Sequence, residues 1–275
     1  MFDKLMAAVG IGNARVDTML DSDTAEAGGV LKGEIHIHGG EVSQDLDALV
    51  LDLASEAIKE VDDKKVHLPH SWATLRLSEA MTIEPGEHRT LPFELPLPLL
   101  SPLSVGRQHP KTWVATRADI AMALDPRDKD PLRILPSPVQ YAVFEAMEQL
   151  GLAMISAPLE LSRKNPATGC LQEFEFKPTA GSHFRHLDEA EIAFLPPSRG
   201  GEGLDLLIQR DTRATGLGSL LSEMAGTDER FTRLPLEGNE TTETLRQKLE
   251  SVLTWPHSSP GQARLRQTRR FHLER

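Results

Sequence analysis

The chain has 275 residues, 39% of them hydrophobic, with a net charge of -11 and a pI near 5.4. That length and apolar content suffice for two cores, and the acidic balance argues against a general nucleic-acid binder, which needs a basic face against phosphate. One cysteine, Cys170, rules out an internal disulfide and a zinc-type cysteine cluster and fits a reducing compartment.

The N-terminal residues lack the apolar run and cleavage site of a signal peptide, and no segment approaches the ~20 apolar residues of a membrane span. The expectation is a soluble, cytoplasmic protein. Phe2, Leu5, Met6 and Val9 fall at i, i+3, i+4 and i+7, giving a short helix with one apolar stripe. Alternating segments follow at the short intervals of an all-β sandwich. Arg15 to Leu20 and Val30 to His38 are the first pair, with Leu31, Ile35 and Ile37 on a buried face and Lys32, Glu34, His36 and His38 on a wet one. Leu49, Leu51 and Leu53 repeat the pattern, opposed by Val50, Asp52 and Ala54. Trp72 to Ser78 alternates again, and Glu84 to Glu87 reverses the chain.

The prolines at 92, 96, 98 and 102 exclude a helix and a central strand from Leu91 to Leu103 and suit an edge strand. Lys111 to Met122 is a strand, Asp125 to Pro131 a charged turn, and Leu132 to Leu135 a short strand. Val139 to Leu150 has apolar residues at a 3.6-residue period and ends at Gly151, so a helix is predicted. Strands return at Leu152 to Arg163, Leu171 to Lys177, Glu189 to Phe194 and Leu204 to Arg210, with a short helix at Leu217 to Met224. A last helix covers Thr241 to Leu253. Beyond Gln262 the tail carries Arg264, Arg266, Arg269, Arg270 and Arg275 against one acid, Glu274. The division expected is residues 1–137, a second, smaller β domain at 138–238 with the helix leading it, and a C-terminal helix and basic tail at 239–275.

Catalytic signatures are weak. Gly10-Ile11-Gly12 lacks the third glycine of a dinucleotide fingerprint and leads into a strand. Gly216-Leu217-Gly218 lacks the Lys-Ser/Thr of a phosphate loop, and there is no G-x-S-x-G elbow. Cys170 has no evident activator. Asp62 and Asp63 are adjacent loop residues between lysines and read as surface. His36 and His38 share a strand face about 7 Å apart, and His67 and His70 would supply further ligands only if their strand were a neighbour. His183, His186 and the Asp125, Asp128, Asp130 turn are weaker still. No cofactor or metal is expected.

The run VGIGNARVDTML, then GEIHIHGG, the Lys59 to Lys65 segment, the Arg76-Leu77-Ser78 strand and the Ile83 to Glu87 turn resemble the bacterial sporulation-control protein family. The resemblance covers most of residues 1–137 and extends through the helix and LDLLIQRDTRATGLGSLL; the Leu103 to Pro110 loop and the tail after Pro260 have no counterpart in it. It implies an arrestin-like fold: two tandem β-sandwich domains with short helices. It also implies a non-enzymatic regulatory or adaptor protein that binds other proteins through sheet edges or an interdomain groove. The contact residues expected are Phe2, Leu5, Met6, Glu60, Asp62 and Asp63, with a sheet-edge homodimer compatible. The alternatives are a small-ligand or lipid-binding sandwich and, behind it, a metal-dependent enzyme.

Overall fold

The computed structural model describes residues 14–61, 64–120, 127–163, 165–198, 200, 203–211 and 231–254. The strands before the first helix are β1 (Arg15–Leu20), β2 (Thr24–Glu26), β3 (Val30–His38), β4 (Gln44–Val61), β5 (Lys64–Ser78), β6 (Met81–Ile83), β7 (His88–Pro96), β8 (Thr112–Ile120) and β9 (Arg127–Leu135). Helix α1 (Pro138–Gln149) follows. After it come β10 (Leu152–Ser156), β11 (Leu159–Leu161), β12 (Cys170–Pro178), β13 (Glu189–Leu195), β14 (Leu204–Asp211), β15 (Phe231–Leu236) and helix α2 (Thr242–Thr254). The mainly-β class expected from the sequence holds.

The three-stranded sheet β1-β3-β7 faces a long sheet that runs β15-β14-β13-β12-β11-β4-β8-β9-β2. Strand β3 alternates as its sequence dictates: Leu31, Ile35 and Ile37 are buried while Lys32 and Glu34 are exposed. Leu49, Leu51 and Leu53 of β4 meet them in the same core, each burial contributing roughly 2 kcal/mol. The opposite face of β4 departs from expectation, because Asp52 and Ala54 are also buried. A side chain of the flanking strand β5 closes over it: Thr74 donates to Asp52 at 2.7 Å. A register shift opposite Leu53 and Ala54 turns Trp72 inward, where its indole N–H reaches Ser55 at 2.9 Å.

Strand β7, with Pro92 and Pro96, pairs only β3 among the described residues and is an edge there, as its prolines require. The charged turn expected at Asp125 to Pro131 is corrected, since Arg127 to Pro131 pair with β8. Prolines and charges are tolerated there because β9 lies near the sheet rim. Leu152 to Arg163 is two strands rather than one: Pro158 interrupts it, and the chain steps from one end of β12 to the other. Strand β15 was missed, as Arg233 and Pro235 mask its alternation. The helices come close to prediction. Val143, Ala146 and Met147 of α1, and Leu245, Leu249 and Leu253 of α2, enter the continuous core. The short helix expected at Leu217 to Met224 lies outside the described residues.

At the β14–β15 edge, Asp205 is held by the Ser198 N–H at 2.9 Å and by Arg233. Burial pushes its carboxyl up, but these donors outweigh burial and leave it below the ordinary range. A folded-state value below the unfolded one stabilises above the unfolded carboxylate range, and the gain vanishes as pH falls through the folded value. Asp205→Asn is therefore expected to cost about 2 kcal/mol at neutral pH. Urea titrations should show that deficit shrinking as pH falls below the ordinary carboxylate range; a deficit independent of pH would contradict the assignment.

Candidate protein-binding surfaces

Strand β5 pairs only β4 among the described residues, so its other side is a sheet edge. Which backbone groups it offers follows from the ladder. The Glu56 N–H donates to Lys111 on the β8 side, so Glu56 and its opposite, Pro69, do not exchange hydrogen bonds. Alternation then sends the backbone groups of Lys64, Val66, Leu68 and His70 towards β4, and those of Lys65, His67 and Pro69 away from it. Lys64, Lys65, Val66 and His67 are all exposed although neighbours point to opposite faces, so this end of the β4–β5 hairpin stands clear of the body. Pro69 and the Trp72 bulge limit the edge, which restrains uncontrolled pairing.

The second surface is an open groove of about 680 Å³ beside α1. Its floor is Phe144, Phe176 and Leu152, and Tyr141, Glu145 and Glu148 line its helical side. Phe144 is fixed by ring contacts with Phe174, at 4.9 Å between centroids, and with Phe194 at 5.7 Å. The start of α1 is fixed as well: the Gln140 side-chain Oε1 accepts the Ser137 N–H at 2.9 Å, and its Nε2 donates to Leu99 O at 3.2 Å. The facing wall, Val105 and Gly106, is anchored through Gln172 of β12. Its side chain accepts the Leu103 N–H at 2.7 Å and donates to Leu103 O at 2.9 Å and Ala157 O at 3.0 Å.

Of the contact residues expected from the sequence, Phe2, Leu5, Met6, Asp62 and Asp63 lie outside the described residues, as do Gly10 to Gly12 and Gly216 to Gly218. Glu60 lies opposite Lys65 at the exposed end of the hairpin. The histidines do not converge. His38 turns to His88, Nδ1 to Nδ1 at 2.6 Å, while His67 and His70 belong to the other sheet. Among the described residues no three His, Cys, Asp or Glu side chains group around a common point. Cys170 is buried, and burial pushes its thiol up to about 11. No helix among the described residues is long and apolar enough to cross a membrane. Sequence reasoning missed Tyr141, Phe144 and Gln172; the only local signal was the phase of the α1 period, which leaves Tyr141 off the buried stripe.

The SpoOM protein family matches residues 2–214. The chain belongs to this family. It is similar to the sporulation-control protein spo0M of Bacillus subtilis (strain 168), 34% identical over 258 residues that cover 92% of this chain and 97% of that protein. The crystal structure of Spo0M, sporulation control protein, from Bacillus subtilis superposes with a TM-score of 0.77 at 33% identity, covering 88% of this chain and 98% of that one. The SpoOM resemblance drawn from the strand and turn motifs is thus confirmed, and it reaches well past residue 137.

Proposed function

We propose that the protein is a non-enzymatic regulator of the sporulation-control type that acts by binding another protein in strand addition along β5. The observation that carries this reading is the outward backbone of Lys65 and His67 on a long strand that, among the described residues, is paired on one side only. An extended partner segment would complete the ladder there, and exposed Val66 would lie beside it. Glu60, Asp62 and Asp63 are proposed as polar contacts at the hairpin end, with the Phe2, Leu5 and Met6 stripe as a second, apolar contact. The units 1–137 and 138–238 are proposed as separate domains, and the protein is proposed to work in the cytoplasm without a cofactor.

Proline and alanine at His67 separate backbone from side chain. His67→Pro deletes an outward N–H while sparing the β4 ladder, and His67→Ala deletes only the imidazole. With purified full-length protein and host-cell extract, His67→Pro is expected to lower recovery of a specific partner about tenfold, one hydrogen bond's worth. His67→Ala should recover it normally, and both should melt within a few degrees of the parent. Equal recovery by the two variants would refute strand addition at this edge.

A further inference from the structure

The groove beside α1 has a defined chemical character. Tyr141, Glu145 and Glu148 follow one another at i, i+4 and i+7, so one helix face presents an aromatic ring and two carboxylates over the floor formed by Phe144 and Phe176. The lining among the described residues includes no lysine or arginine. Tyr141 is 62% exposed, the highest value for any large hydrophobic side chain described, and it is the only tyrosine in the chain. Glu145 is held in position by the Thr242 hydroxyl, which donates to it at 2.7 Å. An apolar floor under a carboxylate rim selects a segment that alternates apolar side chains with cations, and an arginine over the Tyr141 ring adds a cation–π contact.

The chain itself contains such a segment. Residues 264–273 read RLRQTRRFHL, with Leu265, Phe271 and Leu273 set among four arginines. Its attachment point is close. The chain leaves the described residues at Thr254, the end of α2, and the start of α2 rests on Glu145. A helix of that length is only about 18 Å long, whereas the residues from 255 to the end can span up to roughly 70 Å when extended. Reach, charge sign and apolar content all agree.

We propose that the groove is the docking site of the chain's own C-terminal segment, with Phe271 and Leu265 on the floor formed by Phe144 and Phe176 and the arginines against Glu145 and Glu148. The segment is then an intramolecular ligand, and a partner with a similar basic, apolar stretch must displace it to enter. The β5 edge is a separate surface, so failure of one proposal leaves the other standing.

A benzophenone amino acid at position 141 of the full-length chain tests this, with dilute protein irradiated and the adducts mapped by mass spectrometry. The expected product is a cross-link within one chain to residues 262–275. Its yield should fall about tenfold, the loss of two exposed ion pairs, in Glu145→Lys with Glu148→Lys, and return when Arg269→Glu and Arg270→Glu are added. If the lysine variant fails to fold, Arg269→Glu with Arg270→Glu alone should produce the same fall. An adduct joining two chains would assign the groove to a second copy. That result, cross-links only to other parts of the same chain, or none, would each overturn the proposal.

Discussion

Replacing Gln172 with alanine is expected to destabilise the protein by about 3 kcal/mol, because three backbone groups lose their partner at once. The Gln172 amide acts as a surrogate peptide: it closes a two-way hydrogen-bond pair with Leu103 and also reaches Ala157. All of this is buried, and the side chain is 7% exposed. Leu103 precedes α1 in the chain and Ala157 follows it, so the loss falls on the seam that sets one wall of the groove. Urea denaturation measures the total, and hydrogen exchange of the Leu103 amide locates it. That amide should exchange much faster in Gln172→Ala while the β3–β7 ladder stays protected. A loss below about 1 kcal/mol would mean that water replaces the amide and that the bridge does not hold the seam.

Gly39→Ala is expected to cost 3 kcal/mol or more, about the upper end of single substitutions. A β-carbon at Gly39 would lie 2.1 Å from Glu84 O and 2.9 Å from Glu87 N, both backbone atoms of the turn between β6 and β7. The Gly39 N–H also donates to Glu87 O at 2.7 Å, so the turn cannot retreat without breaking that bond. Gly86 in the same turn is the control. Its φ of +69° disfavours a side chain, yet nothing lies within 4 Å of an added β-carbon. Gly86→Ala should therefore cost only about 1 to 2 kcal/mol. Thermal or urea unfolding of the two variants checks the order, and equal losses would show that the turn moves away from Gly39 freely.

These cases show what the sequence made legible. Strand β3 could be bounded to the residue because its two faces differ sharply: Leu31, Ile35 and Ile37 against Lys32, Glu34, His36 and His38. Helix α1 was equally plain, since its apolar period runs unbroken to Gly151. The Lys59 to Lys65 segment stood out by charge, and its residues Lys64 and Lys65 are exposed near the end of the hairpin. Its open edge could not be read, since pairing on one side is a property of the sheet and not of the strand. The groove was illegible for a related reason: Val105, Tyr141, Met154 and Thr179 meet only after folding. Gln172 was hidden too, because its backbone partner at Leu103 lies 69 positions away. Strand β9 was under-read because Asp128, Lys129 and Asp130 have the composition of a turn, and only the register with β8 makes them strand.

Strand β11 sits between β12 and β4, with Glu160 opposite Ile58 in a parallel bridge. During synthesis the far end of β4 is made early but gains that neighbour only after residue 160 has left the ribosome. Until then an apolar strand edge near Ala57 and Ile58 is open to other nascent chains. A pairing this distant in sequence makes folding slow and leaves partly folded chains prone to association. Chaperone dependence and yield should thus be governed by the short strand β11, far more than by the long strands that dominate the finished sheet.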